Sequence, residues 1–182
     1  METLPYFDNY VPFDPAGSSV SFNGLARSGE TYVGTYDGQY GEYAARIEDG
    51  TQTNYQPLGT YYWHYTTCDS TDCHFYNGRV GYSHFNDMNA SGVAVGDSTL
   101  AGSGSSAIDH VSHAIITDVE SGEIVDLTPT AYRAAATGIN NAGEIVGWQR
   151  ADGPTEGFRL GPDGNLITLD NFGSSVQPTA IA

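Results

Sequence analysis

The chain has 182 residues, a formal charge of −16 at pH 7 and only 6 basic residues, all of them arginine. So few cations cannot neutralise a phosphate backbone, which argues against nucleic acid or anionic lipid as partners. A 39% hydrophobic and 12% aromatic composition is too rich for a disordered chain, and 23 Gly and 13 Tyr against 2 Met favour turns and sheet over helix.

Taken in order, residues 1–21 read as an N-terminal segment carrying part of a repeat. The start "METLPYFDNY" has neither a basic n-region nor an apolar core, so no signal peptide is expected within the chain. No apolar run reaches about 18 residues, so no membrane insertion is expected. From residue 22, "FNGLARSGETYVG" gives an apolar position (Leu25), small or polar residues, Gly29, a short alternating strand and Gly34. "YAARIEDGTQTNYQPLG" then reads as strand, acidic Gly turn and strand, with Asp-Gly supplying the positive φ of a tight hairpin.

Residues 61–84, "YYWHYTTCDSTDCHFYNGRVGYSH", interrupt the pattern. Cys68 and Cys73 have the spacing of a small cystine loop, which implies an oxidising compartment; the C-x-x-C redox spacing is missing, and zinc would need more ligands. Tyr61, Tyr62, Trp63, Tyr65, Phe75, Tyr76 and Tyr82 gather around that loop, with Arg79 able to stack on a ring. Such a cluster either packs the insertion onto its own unit or offers a face to a protein or a sugar ring.

At residue 85 the unit returns as "FNDMNASGVAVG", with Met88, Gly92 and Gly96 in the places of Leu25, Gly29 and Gly34. A Ser/Gly-rich loop follows, then "HAIITDVESGEIVDLTP". "TPTAYRAAATG" is the best helical candidate, though its Ala run suits strand or loop equally. The third copy is "ATGINNAGEIVG" from 136, with Ile139, Gly143 and Gly147, followed by "GFRLGPDGNLITLDNFG"; Ile181 in "PTAIA" opens a fourth. The organisation is therefore 1–21, then repeats over 22–84 (insertion 61–84), 85–135 and 136–175, and the start of a fourth at 176–182.

About four short strands per unit at a period of roughly 40–50 residues predicts an all-β chain of consecutive antiparallel four-stranded, blade-like repeats. Closed propellers usually have four or more blades, so the expected architecture is propeller-like, either incomplete or completed by oligomerisation. "GINNAGEIVGW…EGFRLGPDGNLITLDNFG" and "DMNASGVAVGDS…HAIITDVESGEIVDL" resemble the HAF repeats of bacterial extracellular proteins, named for a His-Ala-Phe triplet and marked by Ile-Asn-x-x-Gly-x-x-x-Gly. His113-Ala114-Ile115 is nearest to the triplet, and Tyr43-Ala44-Ala45 and Glu156-Gly157-Phe158 depart from it. The resemblance covers about residues 20–182 and implies a secreted or surface location and a propeller-like fold, with no catalytic residues to carry over.

Asn89 and Asn140 stand where an Asx turn would precede Gly92 and Gly143. Calcium is the alternative at the first of these, because Asp87, Asn89 and Ser91 alternate before Gly92 as in a D-x-[DN]-x-[DN]-G loop; Ser98 stands where that loop needs Glu. His110 and His113 could share a metal only on a helix, since a strand would send them to opposite faces. No G-x-S-x-G elbow marks a nucleophile, and no carboxylate pair is singled out. The expectation is a non-enzymatic extracellular or cell-surface module acting by contact and assembly, with further copies or repeats as partners and no cofactor. A glycan- or ligand-binding propeller using the aromatic insertion is the first alternative, and a secreted hydrolase with a site in a central channel the second.

Overall fold

The computed structural model describes residues 22–38, 41–59, 61–68, 73–100, 111–151, 153–169 and 177–181. Among them are 14 strands and no helix. Strands β1 (Phe22–Ser28), β2 (Thr31–Gly38), β3 (Gly41–Glu48) and β4 (Thr51–Tyr55) form one sheet in sequence order. Strands β5 (Tyr61–Cys68) and β6 (Cys73–Val80) form a separate hairpin, its ladder ending on the pair Cys68 and Cys73. The side chains of that hairpin, including Tyr61, Tyr62, Trp63, Tyr65, Phe75, Tyr76, Arg79 and both cysteines, lie outside the described residues. His110 and residues 1–21 also lie outside them.

Two more antiparallel meanders follow: β7 (Ser83–Met88), β8 (Val93–Thr99), β9 (Ser112–Asp118) and β10 (Ile124–Asp126), then β11 (Arg133–Ile139), β12 (Ile145–Arg150), β13 (Glu156–Leu160) and β14 (Leu166–Leu169). They join into one eight-stranded sheet only through the parallel pair Arg133 and Ser112. Each meander is otherwise closed on itself, and neighbours meet through side chains. The Ala run of residues 134–136 is strand, and all three alanines are buried.

The turns recur with the strands. The positive-φ glycines are Gly29, Gly92 and Gly143 after each first strand, and Gly50, Gly122 and Gly164 after each third strand. Asp49 (φ 50°) and Gly50 (φ 73°) together make the two-residue turn whose twist suits a hairpin. The other glycine of each pair serves a different purpose. The first strand of every meander carries a register shift, between Asn23 and Ala26, Phe85 and Asp87, and Ala136 and Gly138. Opposite that bulge a Cβ on Gly96 would overlap the His84 carbonyl oxygen, and one on Gly147 would overlap that of Ala135. The bulge brings backbone so close that a methyl group has no room.

The two cores are made of matching residues. Val33, Ala44 and Tyr55 of the first meander pack on Phe85, Met88, Ala94 and Ile115 of the second. Val95 and Ala114 of the second, with Leu127 against them, pack on Ala136, Ile139, Ile145 and Phe158 of the third. Gly34, Gly96 and Gly147 pair with Ala45, Ile115 and Phe158, and that common register equates the core residues just named one by one. Met88 and Ile139 thus hold the same place. The first meander departs here. Its β1–β2 ladder pairs Arg27 with Tyr32 and closes on Ser28 and Thr31, whereas Met88 pairs with the equivalent Ala94. Arg27, rather than Leu25, therefore stands at the Met88 register, because the first hairpin turn is one residue shorter.

Candidate functional site

The sites of interest lie where one meander meets the next, so the junction bonds come first. Asn89 Oδ1 accepts from the amides of Ser91 (3.0 Å) and Val93 (3.1 Å), and Asn140 Oδ1 accepts from Ala142 (3.0 Å) and Glu144 (3.0 Å). These Asx turns give the backbone of two successive loops one shape. Asp87 spends one carboxylate oxygen on the Met88 amide (2.8 Å) and the other on the Ile139 amide of the next meander (2.9 Å). Ala90 N–H donates to Asn141 Oδ1 at 2.9 Å, and Asn86 Nδ2 donates to the Ala136 carbonyl at 2.9 Å. The oxygens of Asp87 and Asn89 thus meet backbone amides within and between loops. Ser91 is exposed beside them. Among the described residues no group of three or more His, Cys, Asp or Glu is placed to hold a metal.

His84 and His113 serve the packing of the sheets. His113 Nδ1 lies 2.6 Å from Asp126 Oδ2, and Nε2 lies 2.9 Å from the Ala131 carbonyl oxygen. Both ring nitrogens are engaged, which ties β9 to the β10–β11 connection. His84 clasps the first junction: Nε2 is 2.9 Å from Glu42 Oε2 of the first meander, and Nδ1 is 3.3 Å from Asp97 Oδ2 of its own. Its ring stacks on Tyr82 with centroids 4.9 Å apart and planes 16° from parallel. Burial is the largest single influence and opposes the charge; the bonds and charges of Asp97, then Glu42, together outweigh it and raise the His84 pKa above its ordinary 6.5. Nearby, Arg46 reaches Glu48, Glu120 and the Val119 carbonyl, and the Tyr55 hydroxyl donates to that same carbonyl at 2.6 Å.

The second junction is built differently at the same place. By ladder register, Ala135 stands where His84 stands, Ser112 where Glu42 stands, and Trp148 where Asp97 stands. No clasp forms there. Instead a cavity of about 360 Å³ opens. Tyr82, Asn86, Asp97 and Ser112 line it from the second meander; Arg133, Ala135, Thr137 and Trp148 line it from the third.

Comparison with family models, with curated proteins and with solved structures finds no match for this chain.

Of the aromatic residues singled out in the sequence, Tyr82 lines the cavity. Trp148, Arg133, Ser112, Asn86, Asp97 and Ala135 were not singled out. The available signal was the pair of offsets that set Ala135 against His84 and Trp148 against Asp97, fifty-one residues apart in both cases. A comparison restricted to repeated glycines overlooks positions where the repeats differ.

Proposed function

We propose that the chain is a propeller-like repeat module, each meander a blade, working outside the cell or at its surface by protein contact and assembly. The observation that carries this reading is the place of residues 177–181 on the third meander. Thr137 Oγ1 donates to the Pro178 carbonyl at 2.5 Å, just as the equivalent Asn86 donates to Ala136 one junction earlier. A Cβ on Gly138 would stand 3.2 Å from Ala180 Cα and 3.3 Å from Ile181 N; the equivalent Asp87 bonds Ile139 N. Residues 177–181 therefore lie on the third meander as residues 135–139 lie on the second. Ile181 then corresponds to Ile139, which supports reading these residues as the start of a fourth unit.

The outward residues of the third meander extend the series. Val146, Gly157 and Leu169 match Val95, Ala114 and Leu127 by register, and the latter three line a core closed by a further unit. The occupant that fits is another unit of the same repeat, from a second copy of this chain or from further repeats of a longer one. Head-to-tail stacking of this kind closes a ring or grows a fibre, depending on the rotation between units. The acidic composition, the register pairing of Cys68 with Cys73 and the HAF resemblance support an extracellular setting. Light scattering on the chain, with and without residues 176–182, is the test. Assembly that the deletion weakens supports the reading, whereas the same monomer before and after overturns it.

A further inference from the structure

The cavity at the second junction carries an inference independent of assembly. We propose that it binds a small neutral polyhydroxylated ring, a single sugar residue, seated where the first junction holds the His84 imidazole. The first step of the argument is the room itself. At the first junction a ring fills this place, held by two carboxylates and stacked on Tyr82. At the second, Ala135 reduces that ring to a methyl group, and Ser112 and Trp148 replace the carboxylates. A cavity of about 360 Å³ is at the lower end of the size of small-molecule sites and admits a pyranose ring with its substituents.

The second step is the chemistry of the walls. The lining holds one carboxylate, Asp97, which also faces His84 at 3.3 Å, and one guanidinium, Arg133, so the wall presents both signs of charge and no cluster of either. A protonated imidazole or amine would also find Ser112 and Trp148 where the first junction offers Glu42 and Asp97. The Thr137 hydroxyl proton and the Asn86 Nδ2 are given to the Pro178 and Ala136 carbonyls, so these two side chains meet a ligand as acceptors through their oxygens, beside the Ser112 hydroxyl. Trp148, half-buried, supplies an apolar ring face against which the C–H face of a sugar packs, and Tyr82 lines the wall with its ring stacked on His84. Asn86, Asp97 and Ser112 sit on strands, as do Arg133, Ala135, Thr137 and Trp148, so the walls are fixed before any ligand arrives.

The experiment is an NMR titration of the isotope-labelled chain with methyl glucoside, methyl galactoside and methyl mannoside, following the two indole N–H signals. Trp148→Phe assigns the signals, because the only other tryptophan is Trp63. The expected result is a saturable shift of the Trp148 signal with at least one glycoside, and its loss in Ala135→His, which puts back the ring that fills the first junction. Three results would overturn the proposal: no shift of Trp148 with any glycoside, a shift with imidazole but none with a glycoside, or a glycoside shift undiminished in a folded Ala135→His. The first arm uses the unmodified chain, so failure of a variant to fold leaves the test standing.

Discussion

The two junctions of this molecule are built on one plan with different parts. In the first, bulk comes from Tyr55, Phe85 and Ile115, with the rings of Tyr55 and Phe85 edge to face at 4.9 Å. In the second, the matching positions are Leu127, Ala136 and Phe158. The large ring has moved from the first strand of the incoming meander to its third, and the alanine at 136 makes room for it. Ile145 in the place of Ala94 adds back part of the bulk lost at Leu127 and Ala136, so bulk is redistributed across the junction and not matched position by position. Polar groups along the edge are under no constraint of close packing, which is why the clasp of one junction becomes the cavity of the other.

The strongest way to break the comparison is to remove the ring from each core. Phe158→Ala and Phe85→Ala should each cost about 3–5 kcal/mol in denaturant unfolding, because both rings are fully buried. The sharper version installs the second junction's solution in the first. Ile115→Phe combined with Phe85→Ala should cost less than the sum of its two single variants, by about 1–2 kcal/mol. Strict additivity would show that the two cores are alike in sequence position only. Next in size is Gly147→Ala, which forces a methyl against the Ala135 carbonyl and to within 2.5 Å of the Phe158 ring. A loss of about 1–3 kcal/mol is expected, with Gly96→Ala matching it at the other bulge.

Those glycines also mark how far sequence reading reaches here. Strand number, meander order and the turn positions of Gly92 and Gly143 were legible because a turn is a local event, specified by three or four adjacent residues. The need for glycine at 96 and 147 was visible as a repeat, but its cause was not. It lies in a bulge on the neighbouring strand, and register shifts leave little trace in composition. Leu25 shows the same limit. Aligned through Gly29 it matches Met88, yet the shorter first turn gives that register to Arg27. The cavity was the least legible feature, since it depends on which residues of separate meanders come to face each other.

The Asx turns permit a smaller test. Asn140→Ala removes the acceptor of two backbone bonds and should cost about 1–2 kcal/mol, with Asn89→Ala similar. Asn140 also donates to Glu144 at 2.9 Å, and that bond, followed by Arg159, lowers the Glu144 pKa. The variant should therefore raise the Glu144 pKa, as read by carboxyl NMR; no movement would place the cause with Arg159 alone.

The smallest expected effect separates the junctions most cleanly. Burial opposes the charge on His84, but Asp97 and Glu42 together outweigh it, so its pKa in the folded chain stands above the ordinary 6.5. A group whose folded pKa is raised stabilises the fold fully below its unfolded value and loses that contribution as pH climbs through the folded value. The wild type should thus lose stability relative to His84→Gln as pH rises from about 5 to 8, by about 1 kcal/mol or less, given that the ring is a quarter exposed. Ala135 has nothing to titrate, so the whole of this difference belongs to the first junction. Urea unfolding of both proteins at the two pH values measures it. A difference that stays constant with pH would mean that Glu42 and Asp97 hold the ring by shape and hydrogen bonding without its charge. In that case the clasp and the cavity would differ in filling but not in electrostatics.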